Sequence, residues 1–179
     1  MVIKVIKNDN KGMSLIEIIL VVAILSTLIG VASYGLSMSG GKSVDECAQK
    51  ITSAIQHART NTMGKNKTSI TITQDAAKGV VITESVWSLA ADRSGLTQTD
   101  NVRVVGKKGL SIKYSVSGAG DVELTSGSSL SLEFDRGSGE LKTTNGSNAA
   151  LCTSITISKG GKSKTIEIIP ITGKVSILN

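Results

Sequence analysis

Between Met13 and Lys42 this chain carries no Lys, Arg or His, and Glu17 is the only charge. Residues 18–25 contain nothing polar, and the apolar character continues past Ser26 and Thr27 to Leu36. Residues 15–36 number 22. As a helix they measure about 33 Å at about 1.5 Å per residue, enough for a hydrocarbon core of about 30 Å. A run of this kind is expected to span a membrane before assembly, and a carboxylate on it costs about 2.5 kcal/mol or more at a bilayer centre. Glu17 therefore calls for a positive charge to offset it.

The flanks set an orientation. Lys4, Lys7 and Lys11 against Asp9 make a basic stretch ahead of the run, and such a flank stays in the cytoplasm while the apolar segment inserts. A secretory signal would instead be cut after the run, next to small residues. Ala32-Ser33-Tyr34-Gly35 is a rival site of that type, but it leaves a carboxylate in a segment that is to be discarded.

Lys11-Gly12-Met13-Ser14-Leu15-Ile16-Glu17, followed by the apolar run, resembles the class III signal of type IV prepilins and type II secretion pseudopilins. The resemblance implies that a membrane-embedded prepilin peptidase cuts after Gly12 and that Met13, where most members have Phe, becomes N-methylated. It further implies that Glu17 neutralises the amino terminus of a neighbouring pilin as a filament is built on an inner-membrane assembly platform. Pilins often carry a proline in the first helix; here the single proline is Pro170. Gly30, Gly35 and Gly40-Gly41 are the candidates for a flexible role, and a kink or melted turn is expected at Gly40-Gly41, since each glycine costs about 1 kcal/mol inside a helix.

Ser43-Val44-Asp45-Glu46 reads as a capping box that restarts the helix. Val44, Cys47, Ala48, Ile51, Ala54, Ile55 and Ala58 then recur at spacings of three and four, with Lys50, Gln56, His57 and Arg59 between them. That is an amphipathic helix, expected to end near Met63-Gly64. From Lys67 the period changes to two, with β-branched residues. Strands are expected around Ile70-Thr71-Ile72-Thr73, Val80-Val81-Ile82-Thr83, Val102-Arg103-Val104-Val105 and Leu110-Ser111-Ile112-Lys113-Tyr114. Four more are expected at residues 130–134, 154–158, 164–169 and 174–177, with Lys159-Gly160-Gly161-Lys162 as a hairpin signal.

The expected class is α+β: a long N-terminal helix, membrane-spanning in its first half and amphipathic in its second, packed on an antiparallel β-sheet domain. The organisation that follows is a leader at residues 1–12, a pilin helix at 13–66 with its transmembrane part at about 15–36, and an exported β-rich domain at 67–179. Cys47 to Asn66 and the block Leu132-Glu133-Phe134-Asp135-Arg136-Gly137-Ser138-Gly139, with the later Thr172-Gly173-Lys174-Val175, are similar to the helix end and closing sheet of the minor pseudopilin H and related minor pilins.

The remaining chemistry is sparse. The formal charge is +6, and removing residues 1–12 takes away three Lys and one Asp and leaves +4. Arg59, Lys65 and Lys67, the pair Lys107-Lys108, and Lys159, Lys162 and Lys164 could meet DNA phosphates, although lysines at hairpin tips and edges more often prevent edge pairing. Export makes a disulfide between Cys47 and Cys152 feasible; the other reading is two small buried hydrophobes. His57 is the only histidine, and the spacing 47, 57, 152 matches no usual zinc site. Asp135 with Gly137 and Gly139 reads as a β-turn, and Asp121 and Glu123 beside Gly118-Ala119-Gly120 could coordinate calcium, although no metal site is expected.

No catalytic, cofactor-binding or metal site and no small-molecule substrate is expected. The chain reads as a non-enzymatic filament subunit, a minor component of a type IV pilus or secretion pseudopilus serving secretion, adhesion, motility or DNA uptake. It would sit in the cell membrane as a single-pass precursor with a cytoplasmic leader and pass into an extracellular or periplasmic filament. The alternative is an exported binding module or enzyme that uses the helix only as an anchor.

Overall fold

The computed structural model describes residues 15–63, 66–89 and 95–178, and for residues 31–40 it describes the backbone alone. The leader expected at residues 1–12 and Met13 lie outside the described residues, as do Gly64 and Lys65. The helix α1 runs over Leu15–Thr62. Ten strands follow: β1 Lys67–Asp75, β2 Gly79–Leu89, β3 Leu96–Gly106, β4 Ser111–Val116, β5 Asp121–Leu124, β6 Ser129–Phe134, β7 Leu141–Thr144, β8 Cys152–Lys159, β9 Lys162–Ile169 and β10 Lys174–Leu178. The chain divides into two units, residues 1–38 and 39–179. This boundary falls inside α1 and not at the junction of helix and sheet, because the second half of α1 shares its core with the strands.

In the first unit the described side chains of α1 are almost all apolar and exposed, among them Leu15, Ile16, Leu20, Leu28 and Ile29. The two hydroxyls are turned inward on the helix: Ser26 Oγ donates to the Val22 carbonyl at 2.7 Å and Thr27 Oγ1 to that of Ile24 at 2.8 Å. Each thus spends its donor on a backbone acceptor one turn back and remains compatible with an apolar setting. Among the described residues no helix is long and apolar enough to cross a membrane. The side chains described here stop at residue 30, about 24 Å of helix from Leu15; the rest of the expected span, residues 31–36, falls where only the backbone is described.

Two sequence expectations fail at the start of the second unit. The backbone is helical through Gly40 and Gly41, so no melted turn occurs there, and Ser43 lies inside the helix and not at its start. Breaking the helix would leave up to four N–H and four C=O groups without intrahelical partners on either side of the gap. That cost exceeds the about 1 kcal/mol per glycine of keeping it.

The strands form two five-stranded antiparallel sheets, in the orders β3-β2-β1-β6-β7 and β10-β9-β8-β4-β5. All eight expected strands are present, together with β5 and β7. Alternation sets which face is inward: Ile70 and Ile72 of β1 pair with Leu132 and Leu130 of β6, and all four are fully buried. On the other sheet Ile112 of β4 pairs with Ile157 of β8, and Ile155 of β8 with Ile166 of β9. Val44, Cys47, Ala48, Ile51, Ala54, Ile55 and Ala58 of α1 join these residues in one core. Cys47, Ala48, Ala54 and Ala58 are small and Ile51 and Ile55 are large, and all six are buried in that core.

Candidate functional site

Glu17 lies near the start of the described part of α1. Its side chain is exposed. Behind it, Ile16, Ile19, Leu20, Ala23, Ile24 and Thr27 line a shallow apolar groove of about 430 Å³. Their spacing of three and four residues puts them on one face, as helix-to-helix packing requires. A carboxylate at the head of such a face can receive a cation while the groove receives apolar side chains. Neither contact needs any residue of the second unit.

The second unit holds a polar cluster that sequence reasoning missed. Glu84 lies on the inward face of β2, in register with Val80 and Ile82, and only 2% of it is exposed. Its carboxylate accepts from Arg103 of β3 at 3.1 Å and from Asn61 of α1 at 3.3 Å, and lies 2.8 Å from His57 Nδ1. His57 is therefore not a plainly solvated helix residue: with Asn61 it fastens the helix to β2. The parity of Glu84 with Val80 and Ile82 was the available signal; its partners, 19 to 27 positions away, had none.

Both cysteines are free thiols and both are buried, so the structure contains no Cys47–Cys152 bridge. They occupy different parts of the core. Cys47 Sγ packs beside Gly106, at the end of β3, so closely that a methyl group there would meet it at 2.8 Å. Cys152, on β8, donates its N–H to Thr144 Oγ1 at 2.8 Å. Burial pushes both thiols up to about 12, which keeps them protonated and poorly nucleophilic.

The other singled-out residues have structural roles. Asp135 accepts the N–H groups of Gly137 and Ser138, which hold its carboxyl below the usual range and build the expected turn. Asp121 and Glu123 lie on the short strand β5 and accept from Ser115 and Ser111 of β4. Among the described residues, no three His, Cys, Asp or Glu side chains stand where they could hold one metal ion. Arg59 donates to the Gly139 carbonyl at 3.0 Å, while Lys67 pairs with Glu133 at 3.4 Å and lies over the Trp87 ring. Those two cations are thus engaged within the fold.

Residues 7–33 match the prokaryotic N-terminal methylation motif. The match covers Gly12, Met13, Glu17 and most of the apolar run. No curated protein and no solved structure matches the chain.

Proposed function

From a chain that carries the class III prepilin signal of the type IV pilin and pseudopilin family, we propose a minor filament subunit that is cut after Gly12, N-methylated at Met13 and drawn from the membrane into a pilus or pseudopilus. The observation that carries this reading is the methylation motif ending in a helix whose apolar side chains stand exposed behind Glu17. Exposed apolar surface of that extent marks a lipid or protein contact. Before assembly, lipid covers it; in a filament, the helices of neighbouring pilins do. Cleavage frees an amino group at Met13, and the Glu17 carboxylate of one copy would offset that charge on the next. The pair then enters a low-dielectric bundle at less cost than either charge alone.

The assignment as a minor subunit rests on the resemblance of residues 47–66 and 132–139 to minor pseudopilin H and its relatives. Prepilin peptidase and other pilins are the partners that the signal implies. N-terminal sequencing of the membrane fraction tests the processing step, with methylated Met13 as the expected first residue. The assembly step is tested by Glu17→Ala, which should lower recovery of the chain in sheared filaments while cleavage after Gly12 proceeds. Full incorporation of that variant would remove the assembly role of Glu17.

A further inference from the structure

The charge of the second unit is concentrated at one end. Lys159 Nζ donates to the Lys108 carbonyl at 2.8 Å, which joins the β8–β9 hairpin to the loop after β3. Lys162 faces Lys159 in the hairpin register. Gly79, at φ +92°, lies so close to the same loop that a methyl group there would meet the Gly106 carbonyl oxygen and, at 2.9 Å, Lys108 N, which brings Lys78 beside Lys107 and Lys108. Ser43, Glu46 and Lys50 of α1 line one groove with Lys78, Gly106 and Lys107. Lys164 Nζ lies 3.9 Å from Asp45 Oδ1.

These lysines, with Lys42 of the helix itself, form a collar around the turns of α1 at residues 42–50. It holds eight lysines against three carboxylates, Asp45, Glu46 and Asp75, whereas the remainder of residues 39–179 carries nine basic and nine acidic residues. The net +5 of this unit thus resides in the collar. Solubility alone would not gather it there. The collar surrounds residues 42–50, and along the chain only residues 37–41 separate Lys42 from the end of the apolar run at Leu36. Among the described aromatic side chains Tyr114 and Phe134 are buried and Trp87 lies under Lys67, so none of them stands in the collar to stack a base.

We infer that this lysine collar docks the second unit onto anionic phospholipid headgroups while the chain is held in the membrane. The inference rests on the membrane-anchored precursor proposed above. Six of the lysines, Lys42, Lys50, Lys78, Lys107, Lys108 and Lys162, are exposed, and lysines held near an anionic surface add their attractions within a Debye length of it. Release from the headgroups would accompany extraction into a filament.

The test uses the full processed chain in two vesicle types, phosphatidylcholine alone and phosphatidylcholine with phosphatidylglycerol, both containing a headgroup-labelled quencher lipid. A fluorophore is placed on Ser163→Cys in the collar or on Glu140→Cys at the other end of the sheets; the native thiols are buried. Flotation with both vesicle types, with Ser163→Cys quenched more strongly on phosphatidylglycerol and Glu140→Cys unchanged, is the expected result. The difference should disappear in 1 M salt, where the Debye length is about 3 Å. It should also disappear in the combined variant Lys78→Gln, Lys107→Gln, Lys108→Gln and Lys162→Gln, whose unchanged thermal midpoint shows that it folds. Flotation with both vesicles and equal quenching overturns the collar alone. Flotation only with phosphatidylglycerol overturns the anchor and keeps the collar, and flotation with neither overturns both. A phosphatidylglycerol effect that a 30-base-pair duplex abolishes at equal phosphate concentration assigns the collar to nucleic acid and overturns the lipid assignment.

Discussion

Residues 15–30 and residues 44–58 belong to the same helix, yet their apolar side chains have opposite fates. Large aliphatic residues of the first stretch are 44% to 76% exposed, from Val21 to Leu15, whereas Val44, Cys47, Ala48, Ile51, Ile55 and Ala58 of the second are 0% to 1% exposed. Apolar character alone does not separate them: the first stretch has five Ile, four Leu and two Val, and the second has Val44, Ile51 and Ile55 with the smaller Cys47, Ala48, Ala54 and Ala58. What differs is the angular distribution. In the second stretch apolar residues keep to one stripe and Lys50, Gln56 and His57 occupy the rest, so a single chain can cover the stripe with two sheets. In the first they go all the way round, which no domain of this size on one side can cover. That half is built to be covered from every direction, by lipid or by several other helices.

The sharpest test of this difference is a matched pair of truncations. Ile51→Ala removes a fully buried side chain from the core and should cost about 2–5 kcal/mol, read as a fall in the thermal midpoint of the second unit in detergent. Leu20→Ala should leave that midpoint unchanged and instead reduce recovery in filaments. Equal destabilisation by the two variants would show that both halves support one core and would break the comparison.

The next effect belongs to Glu84. Truncation to alanine removes the acceptor shared by Arg103, Asn61 and His57 and should cost about 1–3 kcal/mol. Arg103 and His57 are about half exposed, so water takes over their hydrogen bonds and keeps the loss below that of Ile51→Ala. A midpoint within error of the parent would mean that the helix is held to β2 by apolar packing alone.

These two sites also mark what could be read in advance. Ile51 follows directly from the spacing of apolar residues in the second half of the helix, and the eight longer strands follow from alternation of β-branched residues. The strand β5, Asp-Val-Glu-Leu, and β7, Leu-Lys-Thr-Thr, have four residues each, too few for a period to emerge from turn-like surroundings. Glu84 was legible as an inward position but its partners were not, because hydrogen bonds between side chains depend on which strands pair. Gly40-Gly41 misled for a related reason: local propensity argued for a break, while the cost of exposing two helix ends is set by the whole element. The processing signal was readable because its chemistry is contiguous along residues 11–17. The lysine collar was readable only in part: Lys107-Lys108 and the group Lys159, Lys162 and Lys164 stand out locally, but Lys42 and Lys50 of α1 and Lys78 of the β1–β2 turn join them only in the fold.

A smaller and slower difference is expected at the thiols. Cys47 lies on the covered half of the helix, and with its thiol pushed up to about 12 by burial it should resist a maleimide at pH 8 until the second unit unfolds. The same holds for Cys152. Two equivalents should react in denaturant and none in the folded chain, a ratio that mass spectrometry reads directly. Rapid reaction of Cys47 alone would indicate that this half of the helix leaves the sheets on its own, which would make the two halves more alike than their burial suggests.

The smallest effect concerns the exposed turn after β6. Asp135 is held below the usual carboxylate range by the N–H groups of Gly137 and Ser138, interactions that an unfolded chain lacks. A carboxyl whose folded value is depressed adds stability above its unfolded value, and that contribution is lost as the pH falls through the folded value. The thermal midpoint should therefore be slightly lower at pH 3 than at pH 7 for this reason, among other carboxyl contributions. Asp135→Asn retains an acceptor for both N–H groups and removes the titration, so the drop from pH 7 to pH 3 should become shallower with little change at pH 3. Asp75 makes the same kind of turn with the N–H groups of Ala77 and Lys78, so Asp75→Asn should act in the same sense. Both turns are in the second unit, which predicts that filament recovery, governed by the exposed half of the helix, is indifferent to either substitution. A variant that lost filaments while keeping its midpoint would place a filament contact at the turn and move part of the assembly surface off the helix.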